Sequence, residues 1–174
     1  MAQLLHQYSV DLTWTGAGDA GTSTYTSYGR DHTLTSGGKP ALPGTSDPHF
    51  RGDTDRWSPE DLLVGALAQC HMLWFLHLAA TAGVVVVGYE DAASGTMRIE
   101  AAGQGQFTEV VLRPRVTVRH ARLRDGAAVD DALLADVHRR AHEHCFIARS
   151  VNFTVRHEPA PVVVEQPADP APTV

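Results

Sequence analysis

Cysteine is scarce in this 174-residue chain: only Cys70 and Cys145 occur, too few for a disulfide-stapled secreted scaffold or a four-thiolate zinc site. Basic charge is short as well. Fourteen Lys and Arg against 20 Asp and Glu leave a net charge of −6 with His neutral, the wrong sign for a partner that is phosphate backbone or an anionic membrane surface. Nucleic acid and membrane are therefore not expected partners. The first residues lack a basic stretch followed by an apolar one, so the expectation is no signal peptide and a cytoplasmic, reducing location. No solenoid-type repeat is visible. With 43% hydrophobic and 20% charged residues, what is present reads as one soluble globular domain over 1–158.

The longest apolar stretch, Leu62 to Val87, raises the question of a membrane span of about 20 residues. Gln69, His71, His77 and Thr81 interrupt it, and Gly83 followed by four valines marks a helix end and a new strand, so it reads as a buried core helix. Ser58-Pro59-Glu60-Asp61 supplies its start: a Ser cap, Pro at the first helical position and acids where the helix dipole favours them. The helix should reach about Ala82. It is apolar on almost every face, which predicts burial all round and a partner subunit covering part of it.

Around this helix the pattern is mostly β. Tyr8, Val10, Leu12 and Trp14 alternate with polar residues over 6–15, a half-buried strand, and residues 22–28 predict its hairpin mate. The irregular excursion over 37–57 has the length of a functional loop. Runs at 84–89, 96–101 and 107–120 predict further strands, the last placed at an edge or bulge by Pro114. Asp130 and Asp131 open a second helix with Leu133, Leu134, Val137 and Ala141 on one face and His138, Arg139 and Arg140 on the other. Val151, Phe153 and Val155 predict a closing strand. Five of the ten prolines fall in 159–174, which reads as a disordered tail.

Both cysteines fall on core-facing helical segments. Either alone packs well as a small hydrophobe. Together with their surroundings they carry a resemblance: Ser-Pro-Glu-Asp-Leu-Leu-Val-Gly-Ala-Leu-Ala-Gln-Cys (58–70) resembles the first-cysteine segment of the OsmC and organic hydroperoxide resistance family. Phe-Thr-Glu-Val-Val-Leu-Arg-Pro from Phe107 resembles the family's strand after the central helix. Ala-His-Glu-His-Cys (141–145) resembles its second-cysteine segment. The resemblance implies an α+β, OsmC-like fold with antiparallel sheets around two long central helices, in an intertwined homodimer. It also implies a thiol-dependent peroxidase of oxidative-stress defence, without a cofactor. Cys70 is then the peroxidatic cysteine, Cys145 the resolving one, and Glu60 the carboxylate that holds a catalytic arginine. Hydroperoxide is the substrate and an external dithiol, lipoyl-type or other, the reductant.

The arginine has two candidates: Arg30 in Tyr28-Gly29-Arg30-Asp31-His32 and Arg51 in Phe50-Arg51-Gly52-Asp53. Ten residues of helix put Glu60 roughly 15 Å from Cys70 along the axis. Either a loop arginine therefore bridges them or the Glu comes from the partner's helix. Family members often carry Pro after the second cysteine and a small or aromatic residue after the first, whereas this chain has Phe146 and His71. Leu, Trp and Phe near Cys70 point toward organic hydroperoxides. Two rival readings are a metal site built from Cys70, His71, His142, His144 and Cys145, and a non-catalytic dimeric binding protein.

Overall fold

The computed structural model describes residues 4–166. They fall into two compact units divided between Leu63 and Val64, where the sequence reads as a single domain over 1–158.

The first unit is a three-stranded antiparallel sheet ordered β1 (Asp11–Trp14), β2 (His32–Thr35), β3 (Leu42–Gly44). β1 does pair in a hairpin, but its mate is β2 and not residues 22–28. That Ser/Thr-rich stretch bonds to itself: Ser27 Oγ donates to the carbonyl of Gly21 at 2.6 Å and accepts from the Thr24 N–H, the local side-chain bonding that competes with strand pairing. The loop closes because Gly16 has no Cβ to strike the Gly29 carbonyl, and Gly29 N–H donates to Gly16 O at 2.7 Å. The apolar alternation of 6–15 is present but uncovered within this chain: Tyr8 is 91% exposed, and Val10, Leu12 and Trp14 are exposed too. The 37–57 excursion is organised: β3 is followed by a 3-10 turn at Pro48–Phe50 capped by Asp47, and buried Thr45 donates its N–H to Trp57 O at the entry to α1.

Helix α1 spans Pro59–Thr81. Its start is a capping box: Asp61 N–H donates to Ser58 Oγ at 3.1 Å and Ser58 N–H to Asp61 Oδ2 at 3.0 Å. Its end is a Schellman motif, with Gly83 left-handed at φ 78°, Gly83 N–H on Ala80 O and Val84 N–H on Ala79 O. By length and composition α1 could cross a membrane. Its buried residues, Leu67, His71, Phe75, Leu78 and Ala79, follow one helical stripe. Burial all round is thus not reached within one chain, and Leu73 is 62% exposed.

The second unit sets two three-stranded sheets against α1 and α2 (Asp131–His144). One sheet is ordered β4 (Val86–Asp91), β7 (Pro114–Val118), β9 (Val163–Val164), and the other β5 (Ser94–Ile99), β6 (Gly105–Leu112), β8 (Thr154–His157). The sheets are mixed, correcting the expected antiparallel ones: β6 pairs with β8 and β7 with β9 in parallel. Parallel neighbours need a crossover, which α2 provides. The predicted 107–120 strand breaks at Arg113, where the chain passes from one sheet to the other. Pro114 lies on the central strand of its sheet rather than an edge, tolerated as the strand's first residue. Phe75, Leu78, Val116, Val118, Leu134 and Val137 form the main core; Leu67, Val110 and Leu112 form a second.

Asp130 caps α2 through the Leu133 N–H at 3.0 Å. His138, expected on the polar face with Arg139, is instead buried in the stripe Leu134, Val137, His138, Ala141. The chain also stays ordered past Pro159, where the tail was expected to begin: Ala160 N–H donates to Pro114 O, Val162 N–H to Asp131 Oδ1 at 2.7 Å, and Glu165 N–H to Val118 O. Residues 167–174 of that expectation lie outside the described residues.

Candidate functional site

The second unit brings the two cysteines together. Cys70 faces inward from the middle of α1, half-buried, and Cys145 is the residue that ends α2, buried to 1% exposure. Both are free thiols, and the Cys70 thiol lies within hydrogen-bonding reach of Cys145. Burial first, then the bond to Cys70, push the Cys145 thiol up to about 11, while the Ala148 N–H pointing at its sulfur pulls the other way. Cys145 is therefore a protonated, sheltered thiol near neutral pH, held in contact with a more accessible one.

Aromatic surface flanks the pair. Trp74, one turn beyond Cys70, meets the ring of Phe146 edge-on at 5.5 Å and the rings of His144 and His77 at 5.0 and 5.8 Å. Leu73, Trp74 and His77 line an open cavity of about 240 Å³.

Four imidazoles fill the α1–α2 junction beside the thiols. His71 Nε2 and His138 Nδ1 share a hydrogen bond of 3.0 Å, and their rings lie within 3° of parallel. His157 of β8 stacks on His71 at 5.6 Å and meets His142 at 5.6 Å. Burial holds His71 down to about 3 and His138 to about 4, with the neighbouring imidazoles adding to the shift. The sequence reading missed His138 and His157. The usable signal was that His138 lies four residues beyond Leu134 and one beyond Val137, on the stripe that buries α2.

Glu60, Arg30 and Arg51 belong to the first unit. Glu60 Oε2 is buried and has no hydrogen-bond partner among the described residues, and neither arginine forms an ion pair with it there. An inward carboxylate oxygen without a donor is costly, and a guanidinium would satisfy it. Arg30 is occupied in its own hairpin loop, donating to the carbonyls of Tyr28 and Tyr25 at 2.6 and 3.0 Å with its guanidinium over both rings. Arg51 is the one non-glycine residue with positive φ among the described residues, at 70°, a conformation costing about 1–2 kcal/mol. Its guanidinium has no hydrogen-bond partner among them. For the metal reading, no group of three or more His, Cys, Asp or Glu in metal-holding geometry occurs among the described residues. His71 turns away from Cys70 toward His138, as adjacent helical positions about 100° apart require.

An α+β chain whose two helices each deliver one thiol to a common point is a defined class of protein. A family model described as OsmC-like protein matches residues 52–159, and the chain belongs to that family. It is 32% identical to an OsmC-like protein of unknown function from Vibrio cholerae, covering 90% of this chain and 100% of that one with a TM-score of 0.79. At the level of fold it is also similar to an organic hydroperoxide resistance protein OsmC from Legionella pneumophila (13% identity, TM-score 0.62, 94% and 100% covered). A third similar structure is an organic hydroperoxide resistance protein from Elizabethkingia anophelis (14% identity, TM-score 0.59, 94% and 100% covered). No curated protein matches the chain.

Proposed function

We propose that this protein is a cysteine-based peroxidase that reduces organic hydroperoxides. The observation that carries the reading is the placement of a half-buried Cys70 thiol on α1 near enough to the buried Cys145 thiol at the end of α2 to act on it. The Cys70 thiolate attacks one peroxide oxygen, the O–O bond breaks, and the other oxygen leaves as alkoxide and takes a proton to become the alcohol; Cys70 is left as sulfenic acid. Cys145 loses its proton and attacks the Cys70 sulfur, releasing water and forming the Cys70–Cys145 disulfide. An external dithiol reduces that disulfide and closes the cycle. The raised pKa of Cys145 suits this order, since a buried protonated thiol is a poor first nucleophile and reacts once its neighbour is oxidised.

An arginine held by Glu60 would favour the Cys70 thiolate and the departing alkoxide. Arg51 suits that role better than Arg30, because its guanidinium is uncommitted while Arg30 is tied to two tyrosines. The organic substrate class rests on the aromatic surface of Trp74 and Phe146 and on the names of the similar structures from Legionella and Elizabethkingia. A homodimer in a reducing, cytoplasmic setting completes the reading, with a second copy covering the apolar surface that α1 leaves open.

Titrating thiols before and after one equivalent of an organic hydroperoxide tests the proposal. Both thiols should disappear together in the wild type, and Cys70→Ser should lose peroxide consumption altogether. Retention of both thiols, or wild-type turnover in Cys70→Ser, would overturn it.

A further inference from the structure

The four imidazoles take no part in the proposed peroxide chemistry, yet they occupy the junction on which the two thiols depend. His71 is the residue after Cys70 on α1, and His138 and His142 lie two turns and one turn before Cys145 on α2. His157 comes from β8 and closes the stack from the side. His71 and His138 are each only 1% exposed. Polar pairs this deep are uncommon without a reason, because apolar side chains would hold two helices together at no desolvation cost.

The hydrogen bond between His71 and His138 exists only while at least one of the facing nitrogens is a lone pair. If His71 donates from Nε2, its Nδ1, which has no partner, is a bare acceptor; the opposite tautomer would bury an orphaned N–H, the worse case. Protonating both rings sets N–H against N–H and places two cations 5.3 Å apart between centroids. Little in the surroundings offsets this. The rings act on one another, Phe75 stacks on His138 at 4.2 Å, and Tyr89 of β4 meets the ring of Phe75. Of the carboxylates on neighbouring elements, Asp131 lines a cavity of about 200 Å³ with His138 and already accepts the Val162 N–H, and Asp91 of β4 lies beside Tyr89 on the far side of Phe75.

We propose that the His71, His138, His142 and His157 stack is an acid-released latch between α1 and α2: proton uptake parts the two helices and separates Cys70 from Cys145. Above the ordinary imidazole pKa of about 6.5 the latch is neutral and closed. Because burial lowers the folded values of His71, His138 and His157, the open form binds more protons between about pH 6.5 and the lowered values, so acid favours opening there. Each histidine that charges on opening contributes about tenfold per pH unit, and two contribute about a hundredfold. The latch governs whether the thiols meet and not what they react with, so it stands or falls apart from the peroxidase reading.

The test reads the reactivity of buried Cys145 in the full-length Cys70→Ser chain with dipyridyl disulfide, a reagent that modifies thiols in acid as well as at neutral pH. Cys145 forms a mixed disulfide and thiopyridone is released. Rates are divided by those of the urea-unfolded chain at the same pH. From about pH 6.5 to about pH 4.5 the protection of Cys145 should fall by more than tenfold per pH unit, and His71→Phe with His138→Phe should flatten that fall. Should the double variant not fold, the slope of the parent chain decides, since a two-proton latch requires more than one proton per opening. Protection that is flat with pH, a slope of one proton or less, or an unchanged slope in a folded double variant overturns the proposal.

Discussion

At the scale of single residues, the two thiols differ in environment although both are free. Cys145 is raised to about 11 by burial and by Cys70, so near pH 8 its thiolate fraction is smaller than that of an ordinary cysteine by about a hundredfold. Limited alkylation of the reduced protein with iodoacetamide, read by peptide mass spectrometry, should therefore label Cys70 at least about tenfold faster than Cys145. The sequence placed both cysteines on core-facing helical segments, and the thiol contact agrees with that placement. It could not place the arginine, because Arg30 and Arg51 sit in loops whose conformation depends on side-chain bonds that no periodicity reports. Comparing Arg51→Lys with Arg30→Lys separates them: the first should lower kcat/KM for an organic hydroperoxide by about tenfold or more, since a lysine cannot reproduce a bidentate guanidinium, and the second should leave it nearly unchanged.

Elements with capping signals were the most legible. Both ends of α1 were written in residues, the Ser58 box and Gly83, and Asp130 announced α2. These are testable because each cap is a local device. Gly83→Ala keeps every contact but forces an alanine to φ 78°, and should cost about 1 kcal/mol. Asp130→Ala leaves the Leu133 N–H without its acceptor and should cost a similar ~1 kcal/mol. Both are measurable as lower urea midpoints with unchanged slopes. The elements that were misread have two different causes. Residues 22–28 had strand-like composition but their hydroxyls found nearer partners, and His138 had a polar name on an apolar stripe. The hydroxyl partners lie within a few residues along the chain, whereas the partner of His138, His71, lies 67 residues away.

For the whole molecule, composition described a soluble protein while α1 read as apolar on nearly all faces. A single chain buries only one stripe of that helix and leaves Leu73, Phe146 and the β1 strand uncovered. The second copy proposed above would cover them. Leu73→Glu should shift a dimer toward monomer in sedimentation velocity, with far-UV circular dichroism little changed. A wild-type chain that sediments as monomer at micromolar concentration would refute the dimer. What hydrophobic pattern could not reveal was the parallel order of the sheets, which depends on where α2 delivers the chain and not on any strand's own residues.

The short β9 strand has a consequence for where this protein can be cut. It lies along β7, with Glu165 further paired to Arg119 at 3.2 Å, and so occupies the hydrogen-bonding edge of the sheet that carries the main core. A chain ending at residue 158 would keep both thiols and both helices, yet it would present the open rim of β7 to other molecules. Unpaired rims of this kind recruit strands from neighbouring chains. β9 is in this sense a guard against strand-to-strand aggregation at that rim, and a truncated chain should precipitate on standing where the full-length one stays clear.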